Sequence, residues 1–120
     1  MKLFKEFTFE AAHKLPLVPK DHQCFNLHGH SFKVRIYVEG TVNEMGWVMD
    51  FSDIKLACRP VIEVLDHSYL NEIEGLENPT SENIAIWIWQ KLERTLLGLS
   101  SVEIMETCNS GCIYEGGTGL

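Results

Sequence analysis

No apolar run in this 120-residue chain approaches the roughly 20 residues that a membrane-spanning helix requires. The opening stretch, MKLFKEFTFEAAHK, also lacks the unbroken apolar core of a secretory leader, because Lys5, Glu6 and Glu10 interrupt it. Positive charge is in deficit: ten Lys and Arg against seventeen Asp and Glu leave a net charge of −7. Nucleic acids and anionic membranes select for basic surfaces, so neither is the expected partner. An anionic small molecule stays open as a substrate, since one pocket can be locally basic within an acidic protein. Cysteine is scarce. Cys24, Cys58, Cys108 and Cys112, with no leader, read as reduced thiols of a cytoplasmic protein. Cys108 and Cys112 flank a short turn like half of a zinc site, but no second pair completes it, so buried structural thiols are expected there.

What is present is ordinary for a globular chain, and 45% hydrophobic residues can furnish one core at this length. Residues 1–115 read as a single domain. The tail, 116–120 (GGTGL), carries no structural signal and is expected to be mobile.

Residues 3–13 alternate, with Leu3, Phe7, Phe9, Ala11 and His13 on one side of a strand. Residues 28–39 alternate more clearly: His28, His30, Phe32, Val34, Ile36 and Val38 share one face, Ser31, Lys33, Arg35, Tyr37 and Glu39 the other. The segment 51–65 predicts a helix entered through Asp50 or Ser52, burying Ile54, Cys58, Val61 and Leu65, with Pro60 as a kink or first turn. Thr80 is a good N-cap for a second helix over 81–97, with Ile84, Trp87, Ile88 and Leu92 on its apolar face. Residues 101–108 and 112–115 predict a hairpin around Asn109, Ser110 and Gly111. The order ββααββ implies an α+β fold, a four-stranded antiparallel sheet with both helices on one face. Its opposite face is polar and its edges need protection, demands that a closed oligomer would meet.

His28 and His30 are two apart on a strand, so both imidazoles point to one face. Gly29 between them puts no side chain on the other face, where crowded backbone is expected. If the first two strands pair as a hairpin, His13 ends beside His28. Three neutral imidazoles suit zinc and leave its fourth position open, the pattern of a catalytic site. Single histidines at strand ends are usually structural; HGH plus a third brought in by topology is a different matter. His22, in the loop, is expected to face solvent. That loop, 14–27, is long for a hairpin, which favours a functional segment. It carries Cys24, readable either as a fourth metal ligand or as a thiol activated nearby. Asp66 and His67 follow the first helix as a carboxylate–imidazole pair or an ordinary surface turn. Glu106 shares parity with Val102 and Ile104, so its carboxylate points inward, where two adjacent N–H donors of a ring edge would satisfy it.

The segments FTFEAAHKL, CFNLHGHSF, GWVMDFSDIK, LDHSYLN, NPTSENIA and METC, in this order and spacing, resemble the 6-pyruvoyltetrahydropterin synthase family. The resemblance spans nearly the whole chain and is strongest to the bacterial branch that makes 6-carboxy-5,6,7,8-tetrahydropterin for queuosine. It implies a tunnelling fold, in which three subunits close a twelve-stranded barrel, two trimers stack as a hexamer, and active sites lie between subunits. It further implies zinc on His13, His28 and His30, Cys24 as proton acceptor, His67 with Asp66 as its relay, and Glu106 as pterin anchor and relay assistant. Thr80 and Ser81 would line the pterin pocket. The implied substrate is 7,8-dihydroneopterin triphosphate, with Lys14, Lys20 and Arg35 as candidate cations for the triphosphate. A pyruvoyl-forming sister enzyme is the first alternative, and a non-catalytic zinc- or pterin-binding protein the second. Folate-branch members carry glutamate at the thiol position, so Cys24 counts against that branch.

Overall fold

Alternation along Lys2–His13 and His28–Glu39 produces two long strands, β1 and β2, in a computed structural model that describes residues 1–117. They pair antiparallel without interruption from Lys2↔Glu39 to His13↔His28. That register sets the inward side chains of one against those of the other. Phe9 and Phe32 stack with ring centroids 4.8 Å apart, and His13 lands opposite His28. Leu99–Thr107 (β4) continues the sheet on the far side of β2, and Ser110–Tyr114 (β5) closes that edge.

Both helices pack on the same face. Phe51–Leu65 (α1) is capped by Asp50, whose carboxylate accepts from the Ser52 N–H at 2.8 Å, and it buries Ile54, Cys58, Ile62 and Leu65. Ile62 takes the place expected for Val61, which is half-buried, because the stripe continues from Cys58 by four residues rather than three. Pro60 lies well inside α1 on its exposed side, where the Leu56 carbonyl it leaves unbonded can meet water. Ser81–Leu92 (α2) starts at Thr80, whose hydroxyl accepts from the Asn83 N–H at 3.1 Å. Its Ile84, Ala85, Ile88 and Leu92 are buried against Val34, Ile36, Val102 and Ile104 in one core. Each large aliphatic side chain so buried contributes about 1.5–3 kcal/mol, which makes the sheet a stiff platform for what its ends carry. Burial pushes the Cys58 thiol up to about 12, so it behaves as an inert core group. Cys108, expected to be buried, is exposed at the β4–β5 turn, and Cys112 is half-buried.

The end of the second helix differs from expectation. α2 ends at Leu92 instead of 97, although the buried Leu96 keeps the helical spacing; the chain turns through Gly98 at φ +88° and enters β4 at Leu99. Apolar periodicity outlasts the helix because Leu96 still faces the core from a turn.

The sheet has five strands rather than four, in the order β3-β1-β2-β4-β5, so the chain order is ββαβαββ. The addition, β3 (Ser68–Tyr69), pairs parallel to Ala11 and Ala12 of β1. Its cause is Asp66, whose carboxylate accepts from the Glu10 N–H at 2.9 Å and pulls the chain onto the β1 edge. The tail also begins packed, since Gly116 lies against the Trp89 ring and Tyr114 Oη donates to the Gly117 carbonyl at 3.0 Å. Residues 118–120 of the tail lie outside the described residues.

The hairpin between β4 and β5 contains an irregularity with a consequence. Pairing runs Met105↔Gly111 and then Thr107↔Ser110, leaving Glu106 as the extra residue of a bulge. Bulges re-aim side chains. A Cβ on Gly111 would drive into the Ile104 carbonyl, so glycine is what permits this close approach. Gly111→Ala is expected to lower stability by roughly 1–3 kcal/mol, read as an earlier midpoint of urea unfolding. An unchanged midpoint would show that the bulge tolerates a side chain.

Candidate metal centre and catalytic pocket

At the β1–β2 end three imidazoles converge. His13 is 0% exposed and its Nδ1 donates to the Pro79 carbonyl at 2.8 Å. His28 Nδ1 donates to the Asn26 carbonyl at 2.7 Å. A carbonyl oxygen only accepts, so both Nδ1 atoms carry hydrogen and the neutral rings present Nε2 lone pairs. The rings stand 4.5 Å (His13–His28), 4.9 Å (His28–His30) and 5.2 Å (His13–His30) apart. Nε2 of His13 and of His28 is buried with no hydrogen-bond partner among the described residues.

Glu106, aimed by the bulge, completes the group. Its Oε1 lies 3.2 Å from His13 Nε2 and 3.0 Å from His30 Nε2. One ligand atom from each of His13, His28, His30 and Glu106 falls within 4.8 Å of every other. Burial holds His13 below the ordinary imidazole range, against the opposing pull of its Pro79 hydrogen bond, and the neighbouring His28 pushes the same way as burial. A neutral His13 therefore turns a lone pair toward a carboxylate, an arrangement that costs free energy unless a cation sits between them. The group can hold a metal ion, and its donor set of imidazoles with one carboxylate suits zinc.

Cys24 sits beside this group. It lies in a single helical turn, Gln23–Phe25, within the long loop, and His22 caps that turn by accepting from the Cys24 N–H at 3.0 Å. The loop is tied back by the Leu15 N–H donating to the Cys24 carbonyl at 2.8 Å. Cys24 lines a cavity of about 420 Å³ with Gln23, His28, His30, Glu106 and Thr107. Glu106, not Cys24, stands with the histidines among the described residues.

Asp66 and His67 lie elsewhere. His67 adopts φ +57°, a left-handed conformation costing about 1–2 kcal/mol, and its N–H donates to the Glu10 carbonyl at 2.6 Å. Asp66 Oδ2 lies 3.0 Å from His67 Nδ1. The Glu10 N–H, aided by His67, holds the Asp66 carboxyl below the usual carboxylate range. His67 lines a second cavity, of about 490 Å³, with Glu10, Gly29, His30, Ser31 and Ser68. Gly29 and His30 border both cavities, so Cys24 and His67 occupy adjoining hollows rather than one pocket. Gly29 is not crowded as expected. A Cβ there would meet only the Ala11 carbonyl at 3.5 Å, an ordinary contact, and the bare glycine instead borders the His67 cavity.

Ser81 Oγ donates to Glu106 Oε2 at 3.4 Å, and the pair borders a smaller cavity of about 200 Å³ with Glu82 and Cys112. Thr80 sits next to it, its hydroxyl oxygen engaged in the α2 cap. Lys14 and Lys20 are exposed near the loop. Arg35 is not near it: seven residues along β2 from His28, about 23 Å at strand rise, it donates to Glu6 at 2.9 Å. Three residues that hold the site were not singled out in the sequence, and a fourth, His22, was read only as a solvent-facing loop residue. Pro79 and Asn26 orient imidazoles through backbone carbonyls, His22 fixes the Cys24 turn, and Asn71 clamps Lys14 from both sides (3.0 and 2.8 Å) just after His13. Only His22 had a visible signal, two residues before the cysteine.

A family profile described as 6-pyruvoyl tetrahydropterin synthase matches residues 2–117. The chain belongs to that family. A 6-carboxy-5,6,7,8-tetrahydropterin synthase from Synechocystis sp. is 50% identical over 119 residues, spanning 93% of this chain and 91% of the relative. A dihydroneopterin monophosphate aldolase from Pyrococcus furiosus is 41% identical over 91 residues, 76% of this chain and 74% of the relative. The solved 6-pyruvoyl tetrahydropterin synthase of Caenorhabditis elegans superposes with a TM-score of 0.89 at 27% identity, over 98% of this chain and 96% of that one. The fold is thus the tunnelling fold of the 6-pyruvoyl tetrahydropterin synthases, and by membership the chain is an enzyme of the lyase class.

Proposed function

We propose that this protein converts 7,8-dihydroneopterin triphosphate and water to 6-carboxy-5,6,7,8-tetrahydropterin, acetaldehyde and triphosphate. The reaction uses zinc and serves queuosine biosynthesis in the cytoplasm. The observation that carries this reading is the set of inward Nε2 atoms opening on a cavity that also holds Cys24 and Glu106. The extent of likeness to the Synechocystis synthase supports the choice of product. Bound by His13, His28 and His30, zinc supplies Lewis acidity that makes the carbon–hydrogen bonds beside the side-chain oxygens easier to break.

The chain's own groups do the rest. Cys24 removes and returns protons at the side-chain carbons, since its thiol borders the cavity in which they would lie. His67, held by Asp66, relays those protons. Glu106 accepts from the adjacent N–H groups of the pterin ring, with Thr80 and Ser81 beside it. Reduction of the ring and oxidation of the side chain balance within one substrate, so no nicotinamide is required.

A relay from Cys24 to His67 needs both groups in one pocket, and within a chain they line separate, adjoining cavities. Assembly resolves this. A neighbouring subunit docked along the sheet edges would bring its own His67 to the Cys24 cavity, and β1 is unpaired along its outer edge before Ala11. The assembly we infer is a hexamer of two trimers, each trimer a closed barrel.

The test is the product mixture from dihydroneopterin triphosphate and zinc-loaded protein. Acetaldehyde released in equal amount with triphosphate is the expected result. A pyruvoyl pterin without acetaldehyde would replace this reading with the sister activity, and a phosphorylated two-carbon aldehyde would indicate aldol cleavage.

A further inference from the structure

We propose that Glu106 is a displaceable fourth ligand of the metal, closing the three-histidine site in the substrate-free enzyme and leaving it when the pterin ring binds. The second half rests on the pterin reading above; the first does not. Tetrahedral ligands about 2 Å from a zinc ion stand about 3.3 Å from one another. Glu106 Oε1 lies 3.2 Å from His13 Nε2 and 3.0 Å from His30 Nε2, the separations that two ligands of one ion would have. The alternative, a plain hydrogen bond, does not describe the His13 contact. His13 Nδ1 already donates to the Pro79 carbonyl, and Nε2 has no hydrogen-bond partner despite the nearby carboxylate. Buried His28 Nε2 is unpartnered too among the described residues, and its ligand atom gathers with those of His13, His30 and Glu106 within 4.8 Å of one another.

The same residue is built to move. Glu106 is the unpaired residue of the β4–β5 bulge, and its side chain is 30% exposed, unlike the His13 side chain at 1%. Its other oxygen, Oε2, has only a long hydrogen bond, 3.4 Å from Ser81 Oγ. One carboxylate therefore faces the metal position through Oε1 and the Ser81 cavity through Oε2. A ring presenting two adjacent N–H donors offers it stronger, bidentate bonds than Ser81 does. Taking that offer withdraws Oε1 from the metal and vacates the coordination position that substrate oxygens need. Glu106 would thus keep the fourth position of a bound metal closed to water until the pterin is in place.

Cobalt(II) in place of zinc reports the coordination directly through its visible absorption. Wild type, E106Q and E106A are compared without pterin, and zinc affinity is measured by competition with a chromophoric chelator. The expected results are a changed cobalt spectrum in both variants and zinc binding weakened at least about tenfold. Unchanged spectrum and affinity in both would overturn the ligand role, with circular dichroism confirming that each is folded. Neopterin, an oxidised pterin that cannot turn over, is then added to wild type while its own fluorescence reports binding. A shift of the cobalt spectrum toward that of E106A is expected on binding. Neopterin bound with an unshifted spectrum would overturn displacement. Neopterin that fails to bind would sink the pterin reading and displacement with it, leaving the ligand role to be decided by the pterin-free spectra.

Discussion

His13→Ala is expected to strip the protein of its metal and its turnover while leaving the fold standing. His13 is the buried member of the site and one of two whose Nε2 has no other partner, so nothing else in the structure can take its place. Loss of a group that merely orients a ligand costs about 10- to 100-fold in metal affinity or activity, and loss of the ligand itself should exceed that. Metal content measured after dialysis should fall from one ion per chain to a small fraction, and turnover by more than about 100-fold. Metal-free stability should change far less than the roughly 3–5 kcal/mol seen when a buried aromatic ring becomes alanine. The reason is that the substitution also removes an unsatisfied buried nitrogen, whose desolvation costs about 1–3 kcal/mol. Thermal unfolding with and without zinc separates the two contributions. Wild type should gain stability on adding zinc, as any ligand bound only by the folded state confers, and the variant should gain none. Acidification should mimic the substitution in wild type, because protons compete with the metal for the same lone pairs. A variant that kept a full complement of zinc with undiminished affinity would remove His13 from the ligand set.

The histidine cluster was legible in the sequence because its logic is short-range. Parity within a strand puts His28 and His30 on one face, and a hairpin returns His13 to them. Glu106 was legible as an inward carboxylate for the same reason, yet its place against His13 and His30 was not. That place depends on a bulge, set by the sterics of Gly111 against Ile104, which no alternation pattern records. β3 was hidden differently. Two residues are too few for a periodic signal, and what recruits them is one carboxylate of Asp66 bonded to a backbone N–H 56 residues away in sequence. The extended reading of α2 failed where Leu96 keeps helical spacing outside a helix. Pro79 and Asn26 act through carbonyls, and a backbone acceptor is the same for every residue type. Sequence identifies side chains that do chemistry more readily than the main chain that holds them.

Cys24→Ala, made alone and mixed with His67→Ala, distinguishes a site within one chain from a site shared between two. Each variant by itself is expected to lose about 10²- to 10⁴-fold in turnover, the range for removing a positioned proton-transfer group. Each should retain its zinc, because neither side chain belongs to the cluster of His13, His28, His30 and Glu106. Gly29 and His30 border both cavities, but Cys24 lines only the one with His28 and Glu106, and His67 only the one with Glu10 and Ser31. If each working pocket joins Cys24 of one subunit to His67 of a neighbour, equal amounts of the two variants, unfolded and refolded together, should form some intact pockets. Random assembly pairs a native Cys24 with a native His67 at about a quarter of the interfaces. Turnover should therefore recover to that fraction of wild type, well above either variant alone. Simple mixing without refolding should restore less, in proportion to how slowly subunits exchange. If both groups served the same chain, every subunit in the mixture would lack one of them. No recovery after co-refolding, with assembly confirmed by size, would place the relay within a single subunit.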